Sequence, residues 1–99
     1  MIKKARLRAK AEIDFYDIPD WYTEISIDLG IKFYREIDES LEIISTNPKI
    51  GTVYNKEIRK YVLKDFPYIL FYVEEVNEII ILAIFHGLRN PKSIGQVLK

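Results

Sequence analysis

The chain has 99 residues, of which 48% are hydrophobic and 30% are charged, with 15 basic and 15 acidic side chains. This length predicts one domain, and the mixture of apolar and charged residues predicts a soluble globular protein rather than a disordered one. The absence of cysteine and the single histidine exclude disulfides, thiolate metal sites, cysteine nucleophiles and multi-histidine metal clusters.

The zero net charge conceals an uneven distribution along the chain. Residues 1–10 carry five basic side chains and no acidic one, and residues 11–46 carry ten acidic against two basic, a local net charge of −8. A sequence pI near 6.6 argues against a general nucleic-acid binder, and we expect no sequence-specific DNA binding. The run Ile79–Phe85 is too short to cross a bilayer, so we expect no membrane segment, and a cytosolic address is compatible with the composition.

The first part of the chain predicts a strand and then a helix. Residues Ile2–Leu7 alternate loosely, with Lys and Arg outward, which is typical of an edge strand. Apolar residues then recur at helical spacing and predict an amphipathic helix with the stripe Ala11, Phe15, Ile18, Tyr22, Ile25 and Leu29. Pro19 lies inside this pattern, so we expect a kink, or two helical pieces that meet at Ile18–Pro19.

A second helix follows a connection around Ser26–Gly30. Its apolar stripe is Phe33/Tyr34, Ile37, Leu41 and Ile44, and Asn47-Pro48 with Gly51 shortly afterwards is typical of a helix end. Two helices joined by a short connection form an antiparallel hairpin, and each stripe can pack on one face of a sheet.

The remaining sequence predicts that sheet. Three strands are expected at Ile58–Phe66, Tyr68–Val73 and Ile79–Phe85, with a bend at Pro67 and a polar turn at residues 75–78. The resulting order is β-αα-βββ, an α+β fold of two layers in which an N-terminal helical hairpin packs on an antiparallel-rich sheet. A weak helical signal follows at Ser93–Leu98.

Several short groups of residues, in this order and at these spacings, point to a known family. They are Ala11 through Trp21-Tyr22, Leu29-Gly30 with Phe33 and Glu36-Ile37, Leu41 to Asn47-Pro48 and Gly51, Ile58-Arg59, Phe66-Pro67-Tyr68 with Tyr72, and His86-x-x-Arg89-x-Pro91. Together they resemble the RelE/ParE superfamily of toxins from type II toxin–antitoxin modules, on its ParE-like, plasmid-stabilisation side. The resemblance spans nearly the whole chain.

This resemblance implies a small cytoplasmic, growth-inhibiting toxin that a cognate antitoxin neutralises by wrapping over the helices and the sheet edge. ParE-like members inhibit DNA gyrase, whereas RelE-like members cleave mRNA in the ribosomal A site; neither uses a metal, and no cofactor is implied. The chain is neutral overall and lacks a dense Lys/Arg cluster on the sheet, which favours gyrase as the target. A ribosome-dependent endoribonuclease and an inactive member that retains antitoxin binding are the alternatives.

The candidate site residues depend on which mechanism applies. Arg59, His86 and Arg89 would be catalytic only in a RelE-like toxin, because a histidine can exchange protons near neutral pH and an arginine can stabilise phosphoryl charge. Arg59, Lys64, Arg89 and Lys92 are the expected target-binding residues. Trp21, Tyr22 and Phe33 are the expected antitoxin-binding residues. Tyr68 and Tyr72 share a strand face and are expected to be structural.

Overall fold

The computed structural model describes residues 3–87 and 91–98 of the chain. Within these residues the elements are β1 (Lys4–Leu7), α1 (Ala9–Ile25), α2 (Ile27–Thr46), β2 (Thr52–Asn55), β3 (Ile58–Val62), β4 (Tyr68–Glu74), β5 (Glu78–His86) and α3 (Pro91–Leu98). The predicted α+β architecture, a helical hairpin on an antiparallel-rich sheet, is confirmed. The strand β2 was not predicted, and α3 coincides with the weak helical signal. No helix in these ranges is long and apolar enough to cross a membrane.

The strands of the described ranges form one sheet in the order β1-β5-β4-β3-β2. β1 runs parallel to β5, and the other neighbours are antiparallel. β1 and β2 are therefore the two edges, and the helical hairpin lies between them in the sequence. The exposed positions of β1 are Lys4 and Arg6, as the edge-strand pattern predicted.

Both faces of the central strands are covered. On the hairpin side, buried residues of the two helices pack against buried residues of β4 and β5. The helices contribute Ala11, Phe33 and Ile37, and the strands contribute Leu70, Tyr72, Ile79 and Ile84. On the opposite side, α3 packs Ile94 and Leu98 against Phe71, Leu82 and Phe85. This double coverage explains why β5 is an uninterrupted apolar run, since neither of its faces is left to water.

A β-bulge interrupts β5. Phe71 pairs with Ala83 and Tyr72 with Ile81, so that Leu82 is the extra residue. Leu82 and Ala83 both belong to the cluster beneath α3. Beyond the bulge, the Ile84 N–H donates to a carboxylate oxygen of Asp14 at 3.0 Å. Asp14 is not part of the apolar stripe predicted for the first helix, yet it is buried, and its carboxylate satisfies this backbone donor.

Two details of the hairpin helices were not given by the prediction. α1 is one helix through Pro19, so of the two expected alternatives the one with two helical pieces is wrong. The connection consists of Ser26 alone, which ends α1 and precedes α2. Gly30 lies inside α2, where a Cβ atom would come within 2.0 Å of the Thr23 hydroxyl oxygen. This glycine is therefore required by the close approach of the helices rather than by a loop.

β3 is shorter than predicted, because the chain turns between Leu63 and Pro67. The Asp65 N–H donates to both carboxylate oxygens of Glu36, at 3.0 and 3.1 Å, which attaches this turn to α2. The unpredicted β2 precedes β3 in a tight hairpin that turns at Lys56, a non-glycine residue with a φ of 51°.

Candidate functional site

Arg59 lies in β3 opposite Tyr72 of β4 and holds the loop that leads into β2. Its Nη1 donates to the carbonyl of Gly51 at 2.8 Å and faces that of Lys49 at 3.4 Å. The Tyr72 hydroxyl accepts the Gly51 N–H at 2.9 Å and donates to the Pro48 carbonyl at 2.7 Å. We call these two side chains and residues 48–51 the loop clamp.

The hydroxyl of Tyr72 is suited to this structural role. The ring is fully buried, and burial raises the pKa of Tyr72 against the opposing influences of the Gly51 N–H and of Arg59. A tyrosine pKa above its ordinary value keeps the proton in place at neutral pH, so the hydroxyl can donate to Pro48. The geometry accordingly gives Tyr72 the structural role that its position in the sequence suggested.

His86 is far from the loop clamp. It ends β5 opposite Tyr68, whereas Arg59 lies opposite Tyr72, four residues further along the same central strand. With about 3.3 Å per residue along a strand and about 4.8 Å between strands, the Cα atoms of Arg59 and His86 are roughly 16 Å apart. The two residues therefore share a face of the sheet but not a site.

His86 instead belongs to a group of aromatic rings at one end of the molecule. Its ring meets that of Tyr68 edge-on, with centroids 5.2 Å apart. Tyr22 contacts the rings of Phe66 and Trp21, each at 4.9 Å, and also contacts the rings of Tyr68 and Phe33. We call this group the aromatic end; its members are Trp21, Tyr22, Phe33, Phe66, Tyr68 and His86.

The three expected antitoxin-binding residues all lie in the aromatic end, but at different depths. Trp21 is 55% exposed, Tyr22 is half-buried and Phe33 is fully buried. Phe33 thus packs in the core and supports Tyr22 and Phe66, so in this conformation it has no surface to offer a partner. Trp21 is the residue of the three that presents a large apolar surface to solvent.

The cationic candidates are not gathered at one place. Lys64 is exposed in the turn after β3, not on a strand, and it lines a small cavity of about 100 Å³ together with Glu36 and Asp65. Lys92 is exposed on α3. The prediction for Arg89 falls outside the described residues. A larger cavity of about 540 Å³ runs beside α2 and contains none of the predicted site residues in its lining.

Sequence reasoning missed the exposed apolar side chains of the hairpin. Ile25 was assigned to the packed stripe, yet it is 60% exposed because α1 ends there. Other exposed examples on the hairpin are Ile13, Tyr16, Ile27 and Ile31. Helical periodicity identifies which residues share a face, but it does not show where the opposing sheet ends.

Comparison with known proteins agrees with this architecture. The chain matches the family model described as the ParE toxin of the type II toxin–antitoxin system, parDE, over residues 5–91. A search of curated proteins finds no match. Among solved structures, the chain is similar to one from the chromosomal ParDE TA system from P. aeruginosa, with a TM-score of 0.74 and 21% identity over 86% of this chain and 96% of that one. That structural similarity shows the fold, and because the family model covers most of the sequence, the chain belongs to the ParE toxin family of type II toxin–antitoxin systems.

Proposed function

We propose that this toxin inhibits DNA gyrase by binding it, without covalent chemistry of its own, and that a cognate antitoxin neutralises the toxin by binding over its hairpin. Membership of the ParE family supports this proposal, because gyrase inhibition is what the resemblance to ParE-like toxins implies. Because a gyrase inhibitor acts where the chromosome is, the proposal includes a cytoplasmic location.

The observation that carries the proposal is the separation of Arg59 from His86. Cleavage of RNA without a metal needs a base, an acid and a cation around one phosphate, each within hydrogen-bond reach of the reacting atoms. Arg59 is turned onto the carbonyl of Gly51, and His86 lies roughly 16 Å away beside Tyr68. In this conformation the two described residues of the predicted catalytic set do not converge on one position, which supports binding over cleavage.

Two reactions with the purified toxin test the proposal. In the first, gyrase supercoils relaxed plasmid in the presence of increasing toxin; in the second, ribosomes translate a defined mRNA with the same toxin. We expect supercoiling to be inhibited and the mRNA to remain intact. Val76→Ser is a suitable control variant, because Val76 is 85% exposed in the turn before β5 and belongs to neither the hairpin nor the loop clamp. We expect it to inhibit as the wild type does.

Two outcomes would contradict the proposal. Ribosome-dependent cuts in the mRNA that disappear in a His86→Gln variant, with supercoiling unaffected, would identify a RelE-type endoribonuclease. A folded toxin that affects neither reaction, and whose expression without antitoxin leaves growth unchanged, would be an inactive family member.

A further inference from the structure

Trp21 is the most conspicuous surface residue of the hairpin. Its side chain is 55% exposed, and its ring is held at 75° to the ring of Tyr22. One helical turn later, Ile25 is also more than half exposed. A large, rigid aromatic side chain that remains on the surface beside a second apolar one is typical of a protein-binding site.

Two carboxylates flank this ring. Asp17 and Glu24 are four residues before and three residues after Trp21, and side chains at these spacings are neighbours on a helix surface. Both are exposed, and the ion pairs between described residues involve neither of them. The indole ring therefore lies between two acidic side chains that are available to a cation from another molecule.

Arginine is the side chain that fits this arrangement best. A cation is attracted to the face of an indole ring when it lies within about 6 Å of the ring centre. The planar guanidinium group can stack on the ring and still donate hydrogen bonds in its own plane to a carboxylate, which the ammonium group of lysine does less well. A second copy of this chain is a poor occupant, because residues 11–46 carry a net charge of −8 and two hairpins would repel each other.

We propose that Trp21, Asp17 and Glu24 form a docking point for an arginine in an amphipathic segment of the partner protein that neutralises the toxin. Ile25 would contact an apolar residue of the same segment. This inference rests on the proposed neutralisation by a protein partner, and it adds the chemistry by which that partner is recognised.

The test uses the full-length toxin and three labelled amphipathic peptides of 15 residues. In each peptide leucine recurs at helical spacing, and the charged positions are all arginine, all lysine or all glutamate. Trp21 is the only tryptophan of the chain, so its fluorescence reports directly on the docking point, and peptide anisotropy gives the affinity. We expect the arginine peptide to shift the Trp21 emission and to bind about threefold more tightly than the lysine peptide. The glutamate peptide should not bind.

Two variants and one matched control complete the design. The variant Asp17→Asn/Glu24→Gln should weaken binding of the arginine peptide about tenfold, and Trp21→Leu should remove the preference for arginine over lysine. The control Asp38→Asn/Glu42→Gln removes the same charge from exposed positions of α2 and should change the affinity less than about twofold. Circular dichroism would show that each variant is folded.

Two results would overturn the inference, because either would show only general charge attraction. One is equal binding of the arginine and lysine peptides. The other is a loss of affinity in Asp38→Asn/Glu42→Gln as large as that in Asp17→Asn/Glu24→Gln. The supercoiling assay on the same preparation separates this failure from that of the proposed function. Inhibition of gyrase without peptide selectivity overturns only the docking point, whereas peptide selectivity without inhibition overturns only the gyrase proposal.

Discussion

Replacing Tyr72 by phenylalanine removes one oxygen atom from the loop clamp and should destabilise the protein measurably. The Tyr72 hydroxyl accepts the Gly51 N–H in a buried position and donates to the partly buried Pro48 carbonyl. Leaving the buried N–H without an acceptor costs about 1–3 kcal/mol, and losing the second bond adds about 0.5–1 kcal/mol. The two contributions sum to about 1.5–4 kcal/mol. Since the phenyl ring still fills the same space, we expect the free energy of unfolding to fall by about 2–3 kcal/mol, near the middle of this range.

Urea unfolding followed by circular dichroism measures this change. A loss of this size should lower the denaturation midpoint while leaving the denaturant slope unchanged, and should lower Tm by about 10–20 °C for a domain of this length. Tyr54→Phe is the matched control, because the Tyr54 ring packs edge-on against Phe71 and its hydroxyl makes no hydrogen bond to any described residue. If Tyr72→Phe were as stable as Tyr54→Phe, the clamp would not stabilise the loop and the reasoning would be refuted.

Two further predictions concern the turn at Lys56 and the ion pair of Glu74. Lys56 has a φ of 51°, so Lys56→Gly should stabilise the protein by about 0.5–1 kcal/mol in the same urea assay, whereas Lys56→Ala, which keeps the Cβ atom, should bring no gain. The hydrogen bond from Lys3 lowers the pKa of Glu74 below its ordinary value of 4.5. A carboxyl group whose pKa is lower in the folded than in the unfolded state stabilises the protein at any pH above the unfolded pKa. This stabilisation is lost as the pH falls from about 4.5 through the pKa of the folded state. Glu74→Gln should therefore reduce the loss of stability on acidification; an unchanged pH profile, or the same change in the exposed Glu57→Gln, would contradict this.

Much of the fold could be predicted because its helices have a strong period. The stripes that contain Phe15 and Ile37 recur over several turns, and they identified the hairpin and the face that packs on the sheet. β2 escaped prediction for a physical reason. It has four residues, nearly all exposed, and the two residues that join it to β3, Lys56 and Glu57, are neither glycine nor asparagine. Short edge strands with unusual turn residues carry too little pattern to be recognised.

The site was harder to predict than the fold, because it depends on distances across the sheet. The sequence identified Arg59 and His86 as polar residues on strands, but their separation follows from the strand register relative to Tyr68 and Tyr72. The hydrogen bond from Arg59 to the Gly51 carbonyl could not be predicted from the sequence either, because a side chain that binds the backbone of a loop leaves no periodic pattern. The exposure of the Trp21 side chain could not be predicted for the same kind of reason, because it depends on where the neighbouring helices and strands end.

The bulge in β5 decides what a change of length in this strand would do. Because β5 is apolar at almost every position and covered on both faces, its hydrophobic pattern alone does not select one register over another. The extra residue Leu82 and the bond from the Ile84 N–H to Asp14 make that selection instead. Deleting Leu82 would leave a regular strand that keeps the existing pairs with β4, so His86 would stay on the hairpin face. If β5 kept Leu82 but lost the bulge, strict alternation would carry His86 to the α3 face. The position of His86 in the aromatic end therefore depends on Leu82 being accommodated in a bulge, next to the bond from the Ile84 N–H to the Asp14 carboxylate of α1.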